Sequence, residues 1–418
     1  MKLKTVKGTK DLLGDEIESH ELVKKEFEGI CKSFNFDYIS TPILEHTEVF
    51  TKSLGVSSDI VSKEMYHFKD QGDDELVLRP EGTAAVARAL VSNSLEQNVN
   101  TKFFYHGPMF RRERPQSGRL RQFHQVGLEY FGQFNIASDL EVIILAERFL
   151  EKIGIRRKLN LQINSLGNNE SLKEYNKAVK KYFEKESDKL SLTSKNRLTK
   201  NPLRILDSKD EKDKRLIEGS PDIREFWDIE SRQAFEDITS GFDSMGIDYN
   251  FNRFLVRGLD YYNHLAFEYV TKENKSQNTV LAGGRYDGLV QSLGGSDITG
   301  VGWAAGIERI VMLIEEKENS RERLICFFAS NNNLNKEVLQ VMNKIEFCNS
   351  IKMQMINSGN LKKKFSKANK FNASACVVFG EEEWKSNKLI FKDLVSGSQS
   401  LIDLKDIKEF LKKNFGLK

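Results

Sequence analysis

The chain has 418 residues, of which 39% are hydrophobic and 30% are charged, and its formal net charge is +3. This length exceeds a single ordinary hydrophobic core, so we expect two or three domains. The small net charge neither requires nor excludes a nucleic-acid partner. The sequence has no long apolar run and no signal-peptide core, so we expect a cytoplasmic protein with no membrane span.

Residues 1 to about 165 alternate helical and extended patterns. Apolar residues at helical spacing predict helices over His20–Phe34, Ala84–Leu95 and Leu140–Ile153. Thr83 directly precedes the second of these helices, and its hydroxyl is a suitable N-cap. The start of that helix would then present unpaired backbone N–H groups to a ligand.

A strand, a polar turn at Pro115–Gly118 and a return strand are predicted over Phe103–Gly132. Because side chains two residues apart share a face of a strand, the outgoing strand places Arg111 beside Glu113. The return strand lines up Arg121, Phe123, Gln125, Gly127 and Glu129. Such a face suits a ligand with phosphates, a flat base and an amino group, since unpaired charge is costly in a core. A solvated face with arginine–glutamate pairs is the alternative.

The remainder of the chain predicts a helical segment and then a separate α/β unit. Residues from about Gly167 to Asn252 are polar, lysine-rich and helical, and residues 253 to about 318 return to short strands. After Glu322, strands and helices alternate over Leu324–Ala329, Lys336–Ile345, Ile351–Ile356, Leu361–Lys370 and Ala373–Gly380. The last of these is apolar almost throughout, which is typical of a parallel strand covered on both faces.

Three blocks of the sequence are, in chain order, ISTPILE with Pro42, the segment Phe103–Gly132 with FRRER at Phe110–Arg114, and GVGWAAGIER at Gly300–Arg309. They resemble motifs 1, 2 and 3 of the class II aminoacyl-tRNA synthetases. RGLDYY at Arg257–Tyr262 and GGRYDGL at Gly283–Leu289 narrow the resemblance to the histidyl-tRNA synthetases. The resemblance covers essentially the whole chain.

The resemblance implies an α+β fold in two domains. Residues 1–322 would form a class II catalytic domain on a mostly antiparallel sheet, with a helical insertion at about 167–252. Residues 323–418 would form an α/β anticodon-binding domain, in which the helix Leu361–Lys370 is a candidate for contacts with the anticodon. Pro42 would lie at the interface of a homodimer.

The implied reaction joins L-histidine to ATP, which enters with Mg²⁺, and transfers the histidyl group to the 3′ end of tRNA(His). Arg111 would contact the α-phosphate, Arg257 would lie between that phosphate and the carboxylate of histidine, and Arg309 would contact the γ-phosphate and adenine. Glu113 and Phe123 would complete the ATP site, with the phenyl ring stacking on adenine.

Histidine itself would be held by residues from three of the blocks and from RPEGT at Arg79–Thr83. The α-amino end would meet Glu81, Gly82, Thr83 and Gln125, and the imidazole ring would meet Glu129 and Tyr262, with Tyr261 and Tyr286 closing the pocket. The resemblance implies that Arg114 and Gln116 contact the acceptor end of the tRNA, since they match loop positions that do so in the family. Arginine and glutamine can read base edges, and contacts with phosphates alone are the alternative.

The cysteines and histidines show no metal-ligand spacing. Cys31, Cys326, Cys348 and Cys376 lie far apart, and the six histidines form no HExxH pattern. We therefore expect reduced, mostly buried thiols and no transition metal held by the protein.

Three alternative functions remain for a chain of this type. One is a catalytically inactive relative, the histidyl-synthetase-like regulatory subunit of ATP phosphoribosyltransferase, which is expected to lose parts of RGLDYY and the C-terminal domain. Another is a class II synthetase for threonine, proline or glycine, which would lack RGLDYY together with GGRYDGL. The third is a non-enzymatic module that senses tRNA.

Overall fold

The structure, a computed structural model, describes residues 3–55, 58–97, 100–273, 278–314, 323–345 and 351–415. The chain divides into two compact units, Met1–Ile314 and Glu315–Lys418. Within the described ranges, no helix combines the length and the apolar character that crossing a membrane requires.

The first unit is built on a large sheet with flanking helices. Its strands are β1 (Asp37–Tyr38), β2 (Leu44–His46), β3 (Tyr66–Lys69), β4 (Glu75–Leu78), β5 (Thr101–Phe110), β6 (Gln122–Gly132), β7 (Leu159–Ser165), β8 (Asn250–Phe251), β9 (Asn263–Thr271), β10 (Thr279–Arg285) and β11 (Thr299–Gly306). Its helices are α1 (Asp15–Ser33), α2 (Thr47–Leu54), α3 (Thr83–Ser92), α4 (Ile136–Lys152), α5 (Asn169–Lys185), α6 (Leu192–Lys200), α7 (Glu211–Glu218), α8 (Ile229–Met245), α9 (Leu289–Ser292) and α10 (Ile307–Val311).

Among the described residues, the large sheet has the strand order β1-β5-β6-β11-β10-β9-β7-β8, and β2, β4 and β3 form a smaller sheet. Neighbouring strands of the large sheet are antiparallel except for the pairs β1–β5 and β7–β8. The mostly antiparallel sheet expected from the sequence is therefore confirmed.

The predicted strand pair is formed by β5 and β6. Their register runs from Thr101 opposite Phe131 to Phe110 opposite Gln122, so residues 111–121 make the connection. Gly118 in this connection has a φ of 69°, a left-handed conformation that glycine adopts without the steric cost of a Cβ.

The predicted N-terminal helices are present with shifted ends. α1 begins at Asp15 rather than His20, because its acidic first turn is favoured by the helix dipole but lacks the apolar repeat on which the prediction rested. α4 begins at Ile136, where the Asn135 side chain accepts a hydrogen bond from the Ala137 N–H at 2.8 Å.

The helical segment between β7 and β9, which contains α5–α8, shares its hydrophobic cores with the sheet. Tyr175 and Phe183 on α5 belong to the same buried cluster as Tyr262. Phe242 on α8 belongs to the cluster that contains Trp303 of β11. Apolar burial therefore fixes this segment against the rest of the first unit.

The second unit is an α/β fold. Its strands are β12 (Arg323–Ala329), β13 (Ile351–Met355), β14 (Ala375–Phe379), β15 (Lys388–Asp393) and β16 (Gln399–Asp403). Its helices are α11 (Asn335–Lys344), α12 (Leu361–Lys370), α13 (Glu381–Lys385) and α14 (Ile407–Phe415). Within the described ranges the strand order is β13-β12-β14-β15-β16. The prediction for β14 was half correct, since it is buried throughout and parallel to β12 but antiparallel to β15.

The described cysteines confirm the expectation of buried thiols. Cys31, Cys326 and Cys376 are buried and free. Burial raises the pKa of Cys326 to about 11, and burial with the neighbouring Cys326 raises the pKa of Cys376 to about 12. Cys348 lies outside the described residues.

Candidate active site

An open cavity of about 240 Å³ in the first unit is lined by residues from each of the predicted blocks except motif 1 and GGRYDGL. The predicted residues that line it are Glu81, Thr83, Arg111, Glu113, Phe123, Gln125, Arg257, Tyr261, Tyr262 and Arg309. Among the described residues, the predicted ones that do not line it are Gly82, Glu129, Tyr286, Arg114 and Gln116.

Arg111 follows the end of β5 and lies over the ring of Phe123. Its Nε donates a hydrogen bond to the carbonyl oxygen of Pro80 at 2.9 Å, and its guanidinium carbon is 5.3 Å from the Phe123 centroid. One terminal nitrogen is 3.9 Å from a carboxylate oxygen of Glu113. The guanidinium is therefore held through its Nε, and Arg111 lines the cavity.

Arg257 lies in the segment before β9 and forms an ion pair with Glu268 of that strand. Its guanidinium carbon is 5.1 Å from the ring centroid of Tyr262. Burial opposes its charge, but Glu268, Tyr262 and Tyr261 outweigh this effect and raise the pKa of Arg257. Its Nε is buried and has no hydrogen-bond partner among the described residues.

Arg309, on α10, connects the helix to the β5–β6 connection and to β10. Its Nε donates to the carbonyl oxygen of Gly118 at 3.3 Å, and Nη1 donates to that of Thr279 at 2.5 Å. Burial, together with the charges of Arg119 and Arg111, lowers the pKa of Arg309. Burial and these neighbouring cations both disfavour the charged form of Arg309, and an anionic ligand would offset the repulsion between the cations.

Glu81, rather than Thr83, satisfies the first N–H groups of α3. The Glu81 carboxylate accepts hydrogen bonds from the N–H of Thr83 at 2.7 Å and of Ala84 at 2.8 Å. The prediction that Thr83 caps the helix and leaves N–H groups open to a ligand is therefore wrong. The Thr83 hydroxyl instead donates to Glu129 at 2.7 Å. Burial raises the pKa of Glu81.

Besides Nε of Arg257, two uncharged polar groups on the wall have no hydrogen-bond partner in the part of the chain that the structure describes. They are Oε1 of Gln125, on β6, and the hydroxyl of Tyr261, and both are buried. Buried polar atoms in folded proteins are nearly always hydrogen-bonded, so unpaired ones at a cavity wall indicate groups that a ligand satisfies.

Glu129 lies behind the wall and is fully buried. One carboxylate oxygen accepts hydrogen bonds from Thr83 at 2.7 Å and from the Tyr105 hydroxyl at 3.2 Å, and the other accepts one from Tyr286. Burial raises the pKa of Glu129 to about 8. A Cβ on Gly82 would overlap the Tyr105 ring, so packing alone explains a glycine there.

Arg114 and Gln116 are exposed in the β5–β6 connection, away from the cavity wall. The backbones of Gln116 and Arg119 exchange hydrogen bonds at 3.0 and 2.9 Å, which closes a small turn. Arg119 itself lines the cavity and forms an ion pair with Glu113.

One group of potential metal ligands adjoins the cavity. Ligand atoms of His20, His124 and Glu308 lie within 4.8 Å of one another, and Nδ1 of His124 is 2.9 Å from a carboxylate oxygen of Glu308. The same carboxylate accepts the His124 backbone N–H, so the group is also explained by internal hydrogen bonds. Sequence spacing did not reveal it, because the residues come from α1, β6 and α10.

Arg119, Glu268 and Glu308 line the cavity but were not predicted as site residues from the sequence. Arg119 and Glu308 fall within the motif 2 and motif 3 blocks, so their position in those blocks was an available signal. Glu268 stands in the otherwise apolar run LAFEYV, where a lone carboxylate suggests a partner.

Comparisons with known proteins agree with this geometry. The family model described as histidyl-tRNA synthetase matches residues 8–310, and the one described as anticodon binding domain matches residues 319–414. A histidine–tRNA ligase from Rhodospirillum rubrum is 44% identical over 409 residues, which cover 98% of each chain. The chain belongs to the histidyl-tRNA synthetase family. A histidine–tRNA ligase from Wolbachia pipientis wMel is 45% identical over 398 residues, 95% of this chain and 97% of the relative.

Among solved structures, the apo histidyl-tRNA synthetase of S. aureus superposes with a TM-score of 0.81 at 31% identity, covering 98% of this chain and all of the other. The predicted α+β fold is therefore confirmed. As a histidyl-tRNA synthetase family member, the protein is an aminoacyl-tRNA synthetase that depends on ATP, and the predicted function, ligation of histidine to tRNA, is confirmed.

Proposed function

We propose that the cavity over the large sheet is where histidine and ATP react. The observation that supports this is the convergence of Arg111, Arg257 and Arg309 on one cavity that also holds Glu81 and Gln125. One cavity thus combines cationic groups, which match the phosphates and the carboxylate of the reactants, with groups that can accept from an ammonium.

In the first step, the carboxylate of histidine attacks the α-phosphorus of ATP, and pyrophosphate leaves. Two anions must approach each other, so the reaction needs fixed positive charge at the point of attack. Arg111 is proposed to hold the α-phosphate, Arg257 to bridge that phosphate and the carboxylate, and Arg309 to hold the γ-phosphate. Arginine suits these roles because it stays charged and forks onto two oxygens.

The amino acid would bind at the part of the cavity wall that Glu81, Gln125, Tyr261 and Tyr262 form. The α-ammonium would donate to Oε1 of Gln125, which lacks a partner within the described residues, and to Glu81. The imidazole ring would lie against Tyr261 and Tyr262, and the Tyr261 hydroxyl would gain a partner. An amino acid with a different side chain would leave these polar groups unpaired. A site of this kind can reject such an amino acid by a factor of about 10⁴–10⁵.

Glu129, Tyr286 and Gly82 would act from behind the wall. Glu129 accepts from the Thr83 hydroxyl and from Tyr286, so it fixes the donors that shape the imidazole end of the pocket. Its contact with the imidazole ring, as the family resemblance implies, stays a prediction.

Adenine would stack on Phe123, whose ring already lies against the Arg111 guanidinium. Mg²⁺ would arrive bound to ATP. The cavity fits it, since Glu113, Glu268 and Glu308 place carboxylate oxygens on the wall, the ligand type that Mg²⁺ prefers. A bound Mg²⁺ would neutralise phosphate charge and help pyrophosphate to leave.

The second step would transfer the histidyl group to the 3′ end of tRNA(His). Arg114 and Gln116, which are exposed in the β5–β6 connection, are proposed to contact the acceptor end. Residues 1–322 would form the catalytic domain, with the insertion at about 167–252, and residues 323–418 would bind the anticodon with α12 as a candidate. A homodimer through Pro42 is supported by its exposure next to the exposed side chains of Ile43 and Leu44.

Histidine-dependent exchange of pyrophosphate into ATP tests the proposal. We expect exchange with histidine and little with threonine, proline or glycine. Absence of exchange with histidine, although tRNA binds, would favour the inactive or tRNA-sensing alternatives. Faster exchange with another amino acid would contradict the proposed pocket.

A further inference from the structure

The segment Arg257–Tyr262 carries three residues of the proposed site but lies outside the sheet, because β9 begins only at Asn263. Its position must therefore come from contacts with other elements. The helical segment α5–α8 supplies several of them, although it contributes no side chain to the described cavity wall.

Arg204 and Asn201, which follow α6, make these contacts. Nη1 of Arg204 donates a hydrogen bond to the carbonyl oxygen of Gly258 at 3.0 Å, and Nη2 is 3.4 Å from a carboxylate oxygen of Asp59. The Asn201 side chain donates to a carboxylate oxygen of Asp260 at 2.9 Å. Two residues of the helical segment thus form hydrogen bonds with Gly258 and Asp260, the chain neighbours of Leu259.

Arg204 is itself well fixed. Its side chain is 18% exposed, its neighbour Ile205 is fully buried, and its carbonyl oxygen accepts from Nη1 of Arg197 at 2.9 Å. A Cβ on Gly258 would lie 2.6 Å from Nη1 of Arg204, so only glycine lets the guanidinium pack this closely onto the backbone. The planar guanidinium can therefore bridge Gly258 and Asp59 with little loss of freedom.

We propose that Arg204, assisted by Asn201, is a positioning residue for histidine activation. It holds Gly258 and, through the chain, sets the position of Arg257 on one side and of Tyr261 and Tyr262 on the other. This inference rests on the proposed role of Arg257 in bridging the two anions. A displacement of about 1 Å at such a residue can slow a reaction about 10²-fold.

The Arg204→Ala variant tests this by pyrophosphate exchange, with histidine and ATP varied separately. We expect kcat/KM for histidine to fall on the order of 10²-fold. The KM for ATP should stay within about twofold, because Arg111, Phe123 and Arg309 make no hydrogen bond with Arg204 in the described structure. Arg215→Ala, at an exposed arginine of α7, is the matched control and should change neither value.

Two further variants separate positioning from general damage. Arg204→Lys keeps one cationic donor and should recover part of the histidine activity, whereas Arg204→Met, which keeps bulk but donates no hydrogen bond, should not. Asn201→Ala, which removes only the bond to Asp260, should lower kcat/KM for histidine less than Arg204→Ala does. Circular dichroism and thermal unfolding check that each variant is folded.

Folded Arg204→Ala protein with wild-type histidine kinetics would overturn the inference, and so would a KM for ATP that rises as much as the KM for histidine. Should Arg204→Ala fail to fold, Asn201→Ala decides: a lower kcat/KM for histidine with an unchanged KM for ATP supports the inference, and unchanged kinetics overturns it. A wild-type protein with no histidine-dependent exchange would instead reject the proposed function.

Discussion

Replacing Arg257 by glutamine removes both its charge and its ion pair with Glu268. The side chains of Arg257 and Glu268 are 13% and 18% exposed, respectively. The variant lacks the guanidinium that we place between the carboxylate of histidine and the α-phosphate. By comparison with the loss of an oxyanion-hole donor, adenylate formation should slow about 10²–10³-fold, which is about 3–4 kcal/mol of transition-state stabilisation.

The same substitution leaves Glu268 without its cation. An unsatisfied, mostly buried partner costs about 1–3 kcal/mol. Glu268 keeps the hydrogen bond from the Thr279 hydroxyl at 2.9 Å, so the loss in free energy of unfolding should fall in the lower half of this range. Urea unfolding measures this loss, and pyrophosphate exchange measures the rate.

The double variant Arg257→Gln with Glu268→Gln is the control for the two effects. It should regain stability, because no buried carboxylate remains unpaired, but it should stay as slow as the single variant. A single variant within about tenfold of the wild-type rate would refute the bridging role of Arg257. Recovery of the rate in the double variant would show that the unpaired Glu268 caused the loss.

Three other changes follow from the structure. Gly82→Ala places a Cβ against the Tyr105 ring and should lower the free energy of unfolding by about 1–3 kcal/mol in urea titrations; an unchanged midpoint would contradict the tight packing. The pKa of Glu129 is raised to about 8, so the unfolded state releases this proton first and stability should fall as pH rises from about 4.5 to 8, a decline that Glu129→Gln should reduce; parallel pH profiles of the two proteins would disprove it. Deleting the residues after about Leu324 should preserve histidine-dependent exchange and weaken charging of full-length tRNA, and unchanged charging would disprove the anticodon role of the second unit.

Local patterns in the sequence predicted the elements that depend on local interactions. The β5–β6 pair and α12 lie where alternation and helical spacing placed them. The side chains of Phe123 and Gln125 line one cavity, because the two-residue repeat of a strand fixes their common face.

Contacts between distant segments could not be read from the sequence. The bond from Arg204 to Gly258 spans 54 residues, and no periodicity links the two positions. Thr83 is a suitable N-cap residue by its side-chain chemistry, but the carboxylate of Glu81 accepts the hydrogen bond from the Thr83 N–H. The Thr83 hydroxyl donates to Glu129 instead. Tertiary packing, which brings Glu129 to Thr83, determines this arrangement. The antiparallel pairing of β14 with β15 likewise depends on chain topology rather than on hydrophobicity.

A crystal structure with ATP and histidinol, which lacks the reactive carboxylate, tests the central claim most directly. We expect Arg111 within hydrogen-bonding distance of the α-phosphate, Arg257 directed at the gap between that phosphate and the carbinol of histidinol, and adenine stacked on Phe123. An α-phosphate bound by neither arginine, or histidinol bound outside this cavity, would contradict the account.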